Sequence, residues 1–188
     1  ATGRGPMLVP HFEGVEFDAF LTYNGSYCYD HEGTLYRNCI PSKDIETIVN
    51  NAVKIGRPVA LATKDRMAAN GKDQDLIDFH KEIIRIHKDY QAMKTGSILF
   101  LHGQYQFISY GRFDEQDKFV VAINSGEQPV SVNLPVWRLG LTEATRMARL
   151  INTGTDGFSL ETAMYSVENG ILHLNCPPKY GVVIKNLG

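Results

Sequence analysis

Residues 73–97 read Asp-Gln-Asp-Leu-Ile-Asp-Phe-His-Lys-Glu-Ile-Ile-Arg-Ile-His-Lys-Asp-Tyr-Gln-Ala-Met-Lys-Thr-Gly-Ser. Leu76, Phe79, Ile83, Ile86 and Tyr90 fall on one helical face, with Ile84 beside them. Asp73 or Asp75 opens the helix, and Lys81, Arg85 and Lys88 lie late in it, where the helix dipole favours cations. After Gly96 the helical period disappears. Residues 97–102, 105–113, 118–124, 129–134, 147–151, 163–167, 171–175 and 181–185 each read as a short strand. Turn-forming residues separate most of them, and Glu168-Asn169-Gly170 is a strong hairpin signal. The stretch predicts a helix followed by an antiparallel eight-stranded β-sandwich.

Upstream, the pattern differs. Residues 18–29 read as a strand entering an Asn24-Gly25 turn, and 34–40 as a second strand. Asp30-His-Glu-Gly33 would join them. Ile45, Ile48, Val49, Ala52 and Val53 make one apolar helical stripe. Ser42 can cap that helix, Gly56 suits its C-terminus, and Pro58 forbids its continuation. A β-prone run follows at 59–63. The expected fold class is α+β, with a small αβ region at 1–72 and the helix plus sandwich at 73–188.

Composition narrows the function classes. The chain has 188 residues, 43% hydrophobic and 21% charged, with 19 basic against 21 acidic side chains. A net charge of −2 offers no basic face for a nucleic-acid backbone. The longest apolar runs, such as Ile98–Leu101 and Val120–Ile123, fall far short of the ~20 residues of a membrane helix. The opening Ala-Thr-Gly-Arg-Gly-Pro lacks the basic and apolar regions of a secretory signal. Cys28, Cys39 and Cys176 are odd in number and contain no C-x-x-C, which argues for free thiols in a reducing, cytoplasmic setting.

Residues 73–188 resemble the end of an α-amylase-family glycoside hydrolase of the cyclomaltodextrinase or neopullulanase type. Gln91-Ala-Met-Lys-Thr-Gly-Ser97 stands where that family has P-A-L-R-x-G-S, with Gln91 in place of the usual proline. Val120-Val-Ala-Ile-Asn-Ser125 resembles its V-x-x-N-N strand end. Pro177-Pro-Lys-Tyr-Gly-Val-Val183 resembles its closing strand. The first 70 or so residues resemble the cap-bearing sugar-phosphate phosphatases of the haloacid dehalogenase superfamily. Ala1-Thr-Gly-Arg4 is similar to their second motif, and Phe17–Gly25 to the strand and Asn-Gly turn leading toward the cap. The resemblance implies that Thr2, Gly3, Arg4, Asn24 and Gly25 contact a phosphate or its sugar.

The same resemblances imply what this stretch does not hold. Phosphatase chemistry there needs an Asp nucleophile upstream of the Thr motif, then a Lys and an acidic pair for magnesium; only a complete phosphatase-like half would take up that cofactor. Glycoside cleavage needs two flanking carboxylates on barrel strands. The remaining candidates, Asp114, Glu115, Asp117 and Glu127, lie in turns and read as solvated loop charges. The expectation is therefore a non-catalytic fusion or chimera of two hydrolase fragments, with no catalytic residue, metal ligand or cofactor of its own. The start at Ala1 favours a deliberate or processed product over a start at Met7. A weakly active hydrolase on α-glucan or sugar phosphate is one alternative. A carbohydrate-binding module is another, with Trp137, Tyr105 and Tyr110 as stacking platforms for a maltooligosaccharide. Trp137 as a covering aromatic is the plainer reading. His80 and His87 lack metal-pair spacing, and Gly154–Gly157 lacks the carboxylates of a calcium loop. The Leu76–Phe79–Ile83 stripe needs a partner. The 45–53 stripe of the first region is one candidate, and a homodimer is the other.

Overall fold

The computed structural model describes residues 1–142 and 145–187. The end of the second expected region, at Gly188, lies outside them. The chain forms two compact units, residues 1–74 and 75–188.

In the first unit, β1 (Phe20–Thr22), β2 (Tyr27–Tyr29) and β3 (Thr34–Arg37) make an antiparallel sheet in that order. Asp30 Oδ1 accepts from the N–H groups of Glu32 and Gly33 and shapes the β2–β3 turn. Helix α1 spans Ser42–Lys54. Pro41 occupies its N-cap with no side-chain hydrogen bond, so Ser42 is not the cap expected of it. Residues 59–70 form a hairpin of β4 (Ala60–Ala62) and β5 (Met67–Ala69), where the sequence suggested a single strand. Asn70 clamps it: its side chain accepts from Val59 N–H at 2.7 Å and its N–H donates to Val59 O. The α1 stripe is not a core face, since Ile48 and Val53 are exposed. Among the described residues of this unit no apolar side chain is fully buried.

The second unit is built differently. Helix α2 (Gln74–Asp89) leads to the short α3 (Gln91–Lys94), then to nine antiparallel strands. These are β6 (Ser97–Gln104), β7 (Phe107–Phe113), β8 (Lys118–Asn124), β9 (Val130–Leu134), β10 (Arg146–Gly154), β11 (Gly157–Ser159), β12 (Met164–Glu168), β13 (Ile171–Cys176) and β14 (Tyr180–Asn186). Their order is β6-β7-β8-β14-β10-β12-β13-β9, with β11 on β10. The sheet doubles over one core that joins Leu101 and Phe107 to Val132, Leu134, Leu172 and Ile184. The fold is thus the expected α+β class with an antiparallel sandwich. One extra strand, β11, arises because Gly154–Gly157 is the tip of a tight hairpin rather than a plain turn.

The motifs acquire physical reasons here. Gln91 is the first residue of α3, a position that suits proline because its N–H has no intrahelical partner. Gln91 instead donates from Nε2 to Thr95 Oγ1. Gly96 admits no side chain, since a Cβ would lie 2.7 Å from Phe113 O. Val120–Ala122 is continuously buried because β8 is covered on both faces. On one side it meets the sandwich core; on the other, Tyr90 sits 5.1 Å ring to ring from Phe119. Part of the α2 stripe finds partners in its own unit, while Leu76 and Ile84 remain exposed. Ile86 is 3% exposed, and Phe79 meets Phe158 at 5.7 Å.

Asn124, 1% exposed, ends β8. Its Nδ2 donates to Gln128 O, Cys176 O and Pro177 O, and its Oδ1 accepts from Gly126 N–H. Replacing Asn124→Ala strands these buried groups, and we expect a loss of about 3 kcal/mol in denaturant unfolding. Asn124→Asp, which puts lone pairs against three carbonyls, should be at least as damaging at neutral pH. The neighbouring Cys176 is buried, and burial pushes its thiol up to about 11. A thiol reagent should label exposed Cys39 first, half-buried Cys28 slowly, and Cys176 only after unfolding. Because the folded state holds this proton more tightly, its contribution is complete below the unfolded thiol value of ~8.5 and is lost as pH climbs to about 11. Urea titrations across that window should show falling stability, less steeply in Cys176→Ala.

Candidate functional site

The five residues expected to meet phosphate converge in the first unit. The turn after β1 is left-handed at three consecutive residues: Tyr23 (φ 48°), Asn24 (56°) and Gly25 (90°). Glycine takes this conformation freely, but each non-glycine residue costs of order 1–3 kcal/mol, so the surroundings must hold the turn. The N-terminal segment does so. Thr2 N–H donates to Leu21 O at 2.8 Å, Asn24 N–H to Thr2 O at 3.1 Å, and Tyr23 N–H to Arg4 O at 3.0 Å. Thr2 Oγ1 accepts from Arg4 N–H at 3.1 Å. Asn24 lies against Gly3, where a Cβ would come within 2.8 Å of its Oδ1.

Gly5 and Thr63 complete the arrangement. The Tyr23 ring lies over Gly5, where any side chain would overlap its hydroxyl, and that hydroxyl donates to Thr63 O at 2.9 Å. Alternation of Tyr23, Tyr27 and Tyr29 along the strand is compatible with a half-buried strand face or with lining a sugar-phosphate pocket, and it gives no sign of Gly5. The usable signal was the Gly3-Arg4-Gly5 spacing opposite a Tyr-Asn-Gly turn. Tyr27 and Tyr29 serve the sheet instead. Tyr27 shares a hydrogen bond with Thr34 Oγ1, and Tyr29 stacks on Phe20 at 5.0 Å.

The result is an exposed loop pair bearing one guanidinium, one hydroxyl and one amide. That set suits an anion. It does not suit magnesium, which takes carboxylates and water as its protein-side ligands. Among the described residues no group of three or more His, Cys, Asp or Glu is placed to hold a metal ion.

The three aromatics proposed for sugar stacking are not gathered into one site. Tyr105 sits wholly exposed at the β6–β7 turn with φ 41°. Tyr110 lines a cleft under α2. Trp137, 58% exposed, stands in the turn after β9, with its main-chain N–H donating to Gly170 O at 2.8 Å. Three of the four acidic candidates of this unit have partners, and Glu115 is exposed as expected of a loop charge. Asp114 Oδ1 accepts from the N–H groups of Gln116 and Asp117. Asp117 pairs with Lys185 at 2.7 Å and Glu127 with Lys179 at 2.7 Å. Asp117 is therefore a partly buried anchor, not the solvated loop charge expected. His80 is turned to its own helix, with Nδ1 2.7 Å from Leu76 O.

Comparison with known proteins finds relatives of two kinds. "Putative phosphatase YkrA" of Bacillus subtilis (strain 168) is 31% identical over 74 residues, which cover 39% of this chain and 29% of that protein. An α-amylase from Anoxybacillus superposes with a TM-score of 0.51 at 15% identity, covering 62% of this chain and 23% of that one. The α-amylase GTA from Geobacillus thermoleovorans, complexed with acarbose, gives 0.53 at 16% identity, covering 63% and 24%. At such identities the likeness is one of fold alone. The chain thus spans under a third of the curated relative's length and about a quarter of each of these structures. No helix among the described residues is long and apolar enough to cross a membrane. The family description "haloacid dehalogenase-like hydrolase" matches residues 1–123, from the Thr2 loop into the first strands of the sandwich, and the chain belongs to that family.

Proposed function

We propose that these 188 residues act as two joined non-catalytic modules of hydrolase origin: a phosphate-contacting loop pair with part of a cap, and an accessory β-sandwich of α-glucan-hydrolase type. The observation that carries this reading is how the acidic side chains are used. A retaining glycosidase needs two carboxylates about 5–5.5 Å apart, free to serve as acid and nucleophile. Asp114 instead holds a turn, and Asp117 and Glu127 each hold a lysine. In the first unit, the Thr2–Arg4 and Tyr23–Gly25 loops present donors and a cation but no carboxylate to attack phosphorus. Such a loop pair orients a phosphate without transferring it. The modules require no cofactor, nucleic acid or membrane, and they suit a reducing cytoplasm.

A second reading rests on Trp137. It is the sole tryptophan and is more than half exposed, and its turn is fixed by the Gly170 hydrogen bond. A rigid exposed indole is a suitable platform for the apolar face of a glucose ring.

Three measurements check these readings. Purified protein with magnesium should turn over neither p-nitrophenyl phosphate nor maltodextrin above a mock preparation; repeated turnover abolished by one point substitution would refute the non-catalytic assignment. Inorganic phosphate should shift the amide resonances of Thr2–Arg4 and Asn24–Gly25 saturably. Thr2→Val should weaken that binding about fivefold, the equivalent of one hydrogen bond of ~1 kcal/mol. Maltotriose should quench Trp137 fluorescence saturably if the sugar platform is real, and a flat titration removes it.

A further inference from the structure

Residues 57–73 form an arm that is closed at its base and at its tip. At the base, Arg57 Nη1 donates to both carboxylate oxygens of Asp73, at 3.0 and 2.9 Å. Asn70 clamps Val59, and β4 pairs with β5 from Ala60–Ala69 to Ala62–Met67. At the tip, Thr63 N–H donates to Arg66 O at 2.8 Å, and Thr63 Oγ1 accepts from Arg66 N–H at 3.2 Å. Residues 60–70 are all exposed, so hydrogen bonds rather than burial hold the hairpin. Segments held in this way open locally at low cost. The tip reaches the turn after β1, where Thr63 O accepts from the Tyr23 hydroxyl at 2.9 Å.

Tyr23 is held at both ends. Its N–H donates to Arg4 O, its ring lies over buried Gly5, and its hydroxyl meets the hairpin. Asn24 follows directly in the same left-handed conformation, and its N–H donates to Thr2 O. Left-handed residues other than glycine persist only where their surroundings over-determine them. Docking of the hairpin on the far end of the Tyr23 ring is one such constraint. It acts on Asn24, and through Asn24 on Thr2, by way of the backbone.

We propose that Tyr23 is a positioning residue that couples hairpin β4–β5 to the Thr2–Arg4 and Asn24–Gly25 loops. The docked hairpin favours the left-handed turn that presents Asn24 and Gly25, and an anion bound there secures the hairpin in return. The proposal rests on the reading of these loops as a phosphate contact. Coupling of this kind is reciprocal: the factor by which docking raises anion affinity is the factor by which the anion raises docking.

The test uses the whole chain, inorganic phosphate and amide resonances, and compares Tyr23→Phe with Tyr27→Phe. Each substitution deletes one exposed hydroxyl hydrogen bond of 2.9 Å, to Thr63 O in the first and to Thr34 Oγ1 in the second. A merely structural role predicts equal effects. Positioning predicts that only Tyr23→Phe weakens phosphate binding, about fivefold, the effect of one hydrogen bond. In the unsubstituted protein, phosphate should shift the Thr63–Arg66 amides with the same Kd as those of Thr2–Arg4. In Tyr23→Phe the loop amides should still respond and the hairpin amides should not. Without phosphate, the Asn24 amide should exchange with solvent about fivefold faster in Tyr23→Phe and at an unchanged rate in Tyr27→Phe. Gly5→Ala, whose methyl group would overlap the Tyr23 hydroxyl, should reproduce Tyr23→Phe. Equal Asn24 exchange in the two tyrosine variants, or phosphate shifts that leave the hairpin amides unmoved in the unsubstituted protein, would overturn the proposal. If phosphate fails to bind at all while the exchange difference is present, the phosphate contact is refuted and Tyr23 still stands as the residue that couples hairpin and loops.

Discussion

The sandwich depends on one buried amide. Asn124 ends β8, and its side chain reaches the carbonyls of Gln128, Cys176 and Pro177 while receiving the N–H of Gly126. These groups belong to the loop after β8 and to the connection between β13 and β14. Both would otherwise bring unpaired backbone polar groups into the protein interior. β8 and β14 pair in register from Phe119–Lys185 to Asn124–Tyr180, so the amide locks one end of the central pair. At the other end Asn186 Oδ1 accepts from Lys118 N–H at 2.8 Å, and Lys185 meets Asp117. Two asparagines and one ion pair thus hold the register of the strands on which the core is layered. A one-residue slip there would turn Val120, Ala122, Val182 and Ile184 away from that core.

The first unit has no comparable centre. Its apolar residues form a string of aromatic contacts, Phe12 to Phe17 to Phe20 to Tyr29, at 5.0–6.2 Å between rings. Such pairs contribute roughly 0.5–1.5 kcal/mol each beyond their buried area. Removal of apolar surface from water, ordinarily the stronger source of stability, is weak here because the α1 stripe and residues such as Leu35 and Ile40 remain exposed. The strained Tyr23-Asn24 turn therefore rests on local hydrogen bonds: three main-chain bonds to Thr2–Arg4 and Leu21, and one from the Tyr23 hydroxyl to Thr63. The two loops are ordered only as well as those few bonds persist.

Much of this was legible from residue patterns, and the failures have physical causes. The α2 stripe and the alternating strands after Gly96 are strong periodic signals, because burial on one face imposes them. The Glu168-Asn169-Gly170 hairpin was readable because two left-handed residues (φ 52° and 74°) demand such a pair. β11 was missed since three residues, Gly-Phe-Ser, carry no period; only Phe158 meeting Phe79 reveals why they are held. Ser42 looked like a cap, but capping depends on backbone geometry, and Pro41 already supplies the extended residue before the helix. The convergence of Thr2–Arg4 on Tyr23–Gly25 came from family likeness. Composition alone could not have found it, because residues twenty apart meet only through the pairing that β1 sets up.

The use of the carboxylates ties structure to function. A carboxylate can anchor a fold or take part in bond cleavage, and few can do both, because each role fixes its partners. Asp117 lies at a strand turn with Lys185 2.7 Å away, and that lysine also sits 5.4 Å from the Tyr90 ring that covers β8. Neutralising Asp117 would leave Lys185 without its counter-ion at a site where both side chains are less than a quarter exposed. Asp117 is thus committed to holding strands together. A protein that had to cleave a glycosidic bond would need carboxylates released from such duty and set in a cleft with separated proton affinities.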